Sequence, residues 1–551
     1  MMEPDEPVED RWGPWRARLV AGALGLVFTV IVGRSAQVAL AGDASEAHQH
    51  ARAELAHRAD IVDRRGDLLA TTLPGYSLAA NPGAIWDAKD VATRLAAVLP
   101  GLDVGDLTRR LSDRDKQFVW VQRGLTPKQR KQVFDLGLEG LRFQEERIRV
   151  YPGGHLAGHL LGFANVDGKG VDGVEHIFDT QLAKGGDPLK LTIDAGVQYA
   201  LEAELDRAAE DFTMEGAAGI VIDASNGAVR AIASWPAIDP NHPTERSDKA
   251  RPNRAMNSVF ELGSIYKPLT VAAALDAGQL TPTDTFDVSA PIKVGAATIH
   301  DEHVFDHAKA VTATDIIAYS SNVGAVQIGQ RLGPARLKAF LGQVGLLGRP
   351  TYDGPPSAAP LTPAEWDPLT SATVSFGHGI AVTPFSFAMS YVPFANGGNF
   401  LQPLFVEPTE GAEIKRKRVI SPETVRIVLG MMRQTVLVGT GKLADAAGYE
   451  VAGKTGTAEK PGPDGYDQNA NITSFAAVFP ASRPQFVVLV VLDNAQPKVG
   501  DQRTAAYTSA SIVGRLIARA APLLDVHPVL AKPVEAPAAP ELRVASESRS
   551  L

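Results

Sequence analysis

The hydrophobic and polar positions divide the chain into stretches of different character. After Arg11, Arg16 and Arg18 comes an apolar run from Leu19 to Gly33 (LVAGALGLVFTVIVG), and beyond Arg34 residues 36–41 are again mostly apolar. A spanning helix needs about 20 such residues, and an arginine near its end can snorkel to the headgroups. The pattern predicts a cytoplasmic tail over 1–18 and a transmembrane anchor over 19–40. The alternative is a cleaved secretory signal with Ala39-Leu40-Ala41 as its small-residue site. In either case the arginines stay cytoplasmic and the remainder lies across the membrane.

Residues 41–190 have mixed character. Arg58 to Asp67 (RADIVDRRGD) alternates apolar and charged positions before a glycine, the pattern of a hairpin. Lys116 to Gln122 (KQFVWVQ) predicts a strand, and Thr126 to Phe134 opens with a Thr-Pro helix start. Asp167 to Glu175 (DGKGVDGVE) resembles a calcium loop only superficially. It lacks the alternating acidic ligands and terminal bidentate glutamate, so it predicts a glycine-rich turn.

From Leu191 the periodicity changes. Gly219 to Ala233 predicts strand, turn and strand, with Asn226-Gly227 as the turn pair between GIVID and AVRAIA. Helical stretches follow Ser264 and Asn322, and strands return at Thr473 to Phe479 and Gln485 to Leu492. Strands at both ends with helices between them predict a mixed α/β (α+β) domain over 191–520, a central antiparallel sheet whose terminal strands pair, flanked by helices. The Pro- and Ala-rich residues 521–551 predict a disordered tail.

Composition narrows the function. At 551 residues, with 45% apolar and 21% charged, the chain has the balance of a globular protein of several units. Its net charge of -9 gives no support for a nucleic-acid partner. With no cysteine, the chain has no disulfide, thiolate zinc site or cysteine nucleophile. His300-Asp301-Glu302-His303 with Asp306 and His307 is dense in ligand types, but its spacing matches no common zinc pattern, and no metal or cofactor is expected.

Chemistry concentrates in three short motifs. Gly263-Ser264-Ile265-Tyr266-Lys267-Pro268 places a hydroxyl and an amine one turn apart where the helix of Leu269 to Leu275 begins. Ser264 is a poor nucleophile until a base takes its proton, and Lys267 can do so if burial or positive charge disfavours its charged form. S-x-x-K alone occurs by chance about once in a chain this long. Ser320-Ser321-Asn322 and Lys454-Thr455-Gly456-Thr457 follow it in order, and the trio marks the serine acyl-transferases of the penicillin-binding and β-lactamase type.

The chain resembles the class B penicillin-binding proteins, and among them the division-specific septal peptidoglycan transpeptidases. The resemblance extends from the anchor to about residue 520 and includes the stretches beginning at Arg58 and Arg149, His159 to Asn165 (HLLGFAN) with DGKGVDGVE, and Phe376-Gly377-His378-Gly379-Ile380 with Val382-Thr383-Pro384. Ala59 and Leu262 stand where many members carry glycine and proline, and neither change removes a reactive group. The resemblance implies a penicillin-binding fold behind a periplasmic pedestal (dimerisation-like) domain over 41–190. It implies that Ser264 attacks a stem peptide between its terminal D-alanines with Lys267 as base. Ser320 relays the proton and Asn322 orients Lys267 and the substrate amide. Lys454, Thr455 and Thr457 bind the terminal carboxylate beside Gly456, and the N–H groups of Ser264 and Thr457 form the oxyanion hole. The implied partners are peptidoglycan stem peptides, β-lactams as covalent inhibitors, a polytopic glycan polymerase and small bitopic division proteins. Three alternatives remain: an elongation-specific transpeptidase, a carboxypeptidase or β-lactamase-like hydrolase, and a division scaffold.

Overall fold

A computed structural model describes residues 14–41, 58–245, 247, 248, 250, 252–301, 310–409, 411–462 and 465–529. Residues 1–57 with 184–186 form one unit, and 58–183 with 187–551 form the other. In the first, helix α1 spans Pro14–Ala41. The segment expected to anchor the chain is therefore helical throughout. Among the described residues, however, no helix is long and apolar enough to cross a membrane; Gly22, Gly25, Gly33 and Arg34 dilute this one.

The second unit begins with the expected hairpin. Strand β1 (Ile61–Val62) pairs antiparallel with β2 (Leu68–Ala80), turning at Gly66 with φ of 97°. Helices α2 (Ala88–Val98) and α3 (Val104–Leu111) follow. Strand β3 (Val119–Leu125) starts three residues later than its pattern suggested. Helix α4 (Pro127–Asp135) opens on a Thr126–Gln129 capping box. Strand β4 (Leu141–Val150) pairs with β2 along its length. Strand β5 (Leu189–Lys190) then runs parallel to β1, so the chain re-enters this sheet at the expected boundary of 190 instead of leaving it. One hydrophobic core unites both sides of that boundary: Ile61, Leu69, Tyr151 and Leu160 share it with Ile220, Ile232 and Val487.

The remainder is a sheet sandwiched by helices. It runs through α5 (Ala195–Asp211), β6 (Gly216–Asp223), β7 (Ala228–Trp235), α6 (Lys267–Asp276), α7 (Ala313–Tyr319), α8 (Asn322–Leu332), α9 (Pro384–Ala395), α10 (Pro422–Leu437), β8 (Ala452–Gly462), β9 (Gly465–Phe479), β10 (Phe486–Asp493) and α11 (Ser509–Leu523). The sheet order is β8-β9-β10-β6-β7, antiparallel throughout, so the first and last strands pair as expected. Alternation assigns each strand residue to a face. Ala218, Ile220 and Ile222 with Val487, Leu489 and Val491 join the core that contains buried α9. Ala217 and Val221 with Val488, Val490 and Leu492 join the core of α5 and α11. With both faces covered, β10 reads as an unbroken apolar run, FVVLVVL.

The first residues of the tail expected over 521–551 are packed. Helix α11 runs to Leu523, and Ala521, Leu524 and Val526 are buried against α5 and the sheet. Residues 530–551 lie outside the described residues.

Candidate active site

The nucleophile motif forms a tight turn packed on the sheet edge. Gly263–Tyr266 is a 3-10 turn, and Lys267 opens α6 with Pro268 in its first turn, where no intrahelical hydrogen bond is lost. The 3-10 turn eclipses positions three apart, so Ser264 and Lys267 share a face. Gly377, at φ of 90°, accepts from Gly263 N–H at 3.2 Å, and a Cβ there would lie 2.1 Å from Gly263 O. The glycine-rich segment before the third motif thus lets two backbones touch beneath the serine.

Lys267 is wholly buried. Its Nζ donates to Ser320 O at 2.5 Å, Ser320 Oγ at 3.1 Å and Asn322 Oδ1 at 2.8 Å. Ser320 caps α7 in the left-handed region, with φ of 70° and ψ of 38°. Such backbone costs a non-glycine residue about 1–2 kcal/mol and is tolerated where the surroundings fix it. Ser321 then caps α8, its Oγ accepting from Gly324 N–H at 2.9 Å.

Asp301 holds this loop, a role that no motif announces. One carboxylate oxygen accepts from Ser321 Oγ at 2.6 Å, and the other from the N–H groups of Asn322 and Val323 at 2.5 and 2.9 Å. An anion at a helix N-terminus is favourable. In the sequence Asp301 belonged to the histidine-rich cluster, most of which, over 302–309, lies outside the described residues.

Lys454 comes from β8, the sheet's edge strand, and is also wholly buried. Its Nζ donates to Ser320 Oγ at 3.0 Å, Thr455 O at 3.0 Å and Thr455 Oγ1 at 3.2 Å. The two lysine nitrogens, each bonded to Ser320 Oγ, are therefore at most about 6 Å apart. Gly456 has no room for a side chain: a Cβ would lie 2.3 Å from Leu262 O and 2.4 Å from Ser474 Oγ. Thr457 Oγ1 accepts from Ala505 N–H at 3.2 Å. The cleft so formed is lined by Ser264, Ser320, Asn322, Thr440, Thr455, Thr457, Thr504 and Ala506. A larger concavity of about 560 Å³, with Phe394, Val425 and Arg433 in its walls, contains none of the motif residues. Convergent chemistry, not size, marks the site.

Two neighbours have shifted ionisation. His378 is pushed down to about 4, first by burial and then by the charge of Lys267, and its Nδ1 is buried with no hydrogen-bond partner among the described residues. Glu261 is raised by burial, although Tyr466 OH and Gly379 N–H donate to it. All the residues expected at the site, Ser264, Lys267, Ser320, Asn322, Lys454, Thr455, Gly456 and Thr457, lie at this cleft or in its walls. Asp301, Thr440 and Thr504 join them without any motif to announce them.

The fold and site define a serine acyl-transferase, and comparison with known proteins narrows the class. The penicillin-binding protein transpeptidase domain family matches residues 217–518, and the penicillin-binding protein dimerisation domain family matches 53–185. The chain belongs to the class B penicillin-binding proteins and is a peptidoglycan D,D-transpeptidase. It is 38% identical to the probable peptidoglycan D,D-transpeptidase FtsI of Caulobacter vibrioides, over 93% of this chain and 89% of that protein. It is 28% identical to the peptidoglycan D,D-transpeptidase FtsI of Escherichia coli, over 93% and 92%. Among solved structures it is similar to penicillin-binding protein 3 of Mycobacterium tuberculosis complexed with aztreonam, with a TM-score of 0.68 and 25% identity, over 86% of this chain and 98% of that one.

Proposed function

We propose that this chain is a membrane-anchored transpeptidase of septal wall synthesis, with Ser264 as its nucleophile and Lys267 as its base. The observation that carries the catalytic assignment is the convergence of Lys267 and Lys454 on Ser320 Oγ. Burial and a second ammonium at most about 6 Å away both disfavour the charged form of Lys267, and the neutral amine is the form that can take the serine proton. Ser264 Oγ then adds to the carbonyl between the terminal D-alanines of a stem peptide. The N–H groups of Ser264 and Thr457 receive the developing oxyanion. The proton passes from Lys267 through Ser320 Oγ to the leaving amine, the C–N bond breaks, and D-alanine departs. Asn322 fixes Lys267 from one side, and Lys454 with Thr455 and Thr457 binds the terminal carboxylate. An amine of a second stem peptide attacks the acyl-enzyme and completes the cross-link. No step calls on a metal or cofactor.

The anchor over 19–40 is supported by the length of α1 and by the apolar run within it. A helix of 28 residues is about 42 Å long at 1.5 Å per residue, against a hydrocarbon core of about 30 Å. Leu24, Phe28 and Ile31 are exposed on it. The septal role is supported by the similarity to proteins named FtsI. It brings the polytopic glycan polymerase and bitopic division proteins as partners, and β-lactams as covalent inhibitors.

Labelled penicillin tests the assignment. The wild-type chain should form an adduct at Ser264 that lasts hours, and Ser264→Ala should form none. Labelling that persists in Ser264→Ala would overturn the assignment, and turnover within seconds would favour a hydrolase. A fluorescent fusion should collect at midcell; a lateral-wall pattern would favour the elongation role.

A further inference from the structure

We propose that Thr440, which belongs to none of the three motifs, is a further hydrogen-bond donor to the substrate's terminal carboxylate. The proposal rests on the transpeptidase reading above and adds to its carboxylate site. Thr440 follows α10 in a loop pinned to the end of α7, two residues before Ser320. Its N–H donates to Ala318 O at 3.1 Å, and Gly441 N–H donates to Thr435 O at 2.9 Å. At Gly439 a Cβ would lie 2.1 Å from Ala318 O. This close packing brings the Thr440 hydroxyl into the cleft wall beside Ser320 and Thr455.

Donor and acceptor capacity limits where the hydrogens can lie. An ammonium only donates, so Thr455 Oγ1 accepts from Lys454 Nζ at 3.2 Å. The hydroxyls of Thr455 and Thr440 lie 2.7 Å apart. Either hydroxyl can donate to the other; in the proposed arrangement Thr455, accepting from Lys454, gives its own hydrogen to Thr440 Oγ1, and each link polarises the next. Thr440 then accepts through its oxygen, and its hydrogen turns into the cleft. Thr457 repeats the arrangement, since its oxygen accepts from Ala505 N–H at 3.2 Å. An incoming carboxylate has lone pairs for several donors and would meet the Lys454 ammonium flanked by the hydroxyls of Thr440 and Thr457, with Thr455 acting on it through Thr440 in place of a direct bond.

The test is a pair of thioester substrates ending in D-alanine analogues, one with a free carboxylate and one as its methyl ester. They are given to the full-length chain in detergent with Thr440, Thr440→Val, Thr440→Ala or Thr440→Ser. Loss of one hydrogen bond to a charged group should slow acylation by the acid about tenfold or more in Thr440→Val and Thr440→Ala. The ester rate should stay within about twofold, and Thr440→Ser should restore the preference for the acid. If acid and ester rates fall together, Thr440 serves the fold alone and the proposal is overturned; it is equally overturned if neither falls. A wild-type chain that is not acylated at Ser264 would remove the underlying transpeptidase reading and this proposal with it. A wild type that acylates while its Thr440 variants keep the acid preference refutes Thr440 alone.

Discussion

Glu202 makes the stability of this protein depend on pH in a way that can be worked out in advance. It sits on α5 and is 8% exposed. Its Oε1 accepts from Ala157 N–H at 2.8 Å and Gln198 Nε2 at 2.7 Å, while Oε2 is buried with no partner among the described residues. Gln198 in turn bonds both backbone groups of Ile232 on β7, so the carboxyl ties the segment around Ala157 to the sheet. Burial dominates and raises the group from 4.5 to about 7, with Gln198, Ala157 and His155 pulling the other way. A raised acid holds its proton more tightly when folded, so its contribution is fully present below pH 4.5 and is lost as pH rises through about 7. At about 1.4 kcal/mol per pKa unit, the loss comes to about 3 kcal/mol across that window. Glu202→Gln mimics the protonated acid and has no charge to bury. Unfolding free energies of both chains from urea titrations, followed by tryptophan fluorescence from pH 4.5 to 8, should diverge by that amount, with Glu202→Gln the more stable at pH 8. Parallel curves, or a variant that loses stability as pH rises, would refute the reasoning.

Two further outcomes follow from the site's packing. Gly456→Ala places a methyl 2.3 Å from Leu262 O. The edge strand must then withdraw from the nucleophile turn, lowering stability by about 1–3 kcal/mol and penicillin acylation by more than tenfold; an unchanged acylation rate would show that the strand has slack. Asp301→Ala strips the acceptor from Ser321 Oγ and from two N–H groups. A loss of about 1–3 kcal/mol together with slower acylation is expected in thermal melts and labelling kinetics, and slower labelling without a stability loss would contradict it.

The site was legible where chemistry and local geometry coincide. Ser264 and Lys267 are three residues apart, so a single turn fixes their relation without tertiary help. The other two motifs were legible as residue types only. Ser320 is 53 residues from Lys267 and 134 from Lys454, and no local rule brings them within 3.1 Å. Asp301 stood in a histidine-rich stretch that resembled a metal cluster, and only the fold turns its carboxylate onto α8. Glu175, read as the end of a glycine-rich turn, is fully buried between Arg58 and Arg149. A local pattern cannot show a charge whose partners lie 117 and 26 residues away.

FVVLVVL and GIVI announce themselves because both faces of the sheet are covered there, and the side chains on either face are apolar. The boundary at 190 rests on a change of periodicity and the tail at 521 on composition, whereas the pairing of β5 with β1 and the burial of Leu524 and Val526 are decided by distant surfaces. The sequence by itself determined the reactive groups, the order of the motifs and the two-sided strands, because these depend on residue type and short-range periodicity. Tertiary structure alone decided that two buried lysines meet on one serine hydroxyl and that Asp301 and Thr440 join them, because those contacts depend on how distant segments pack, not on spacing along the chain.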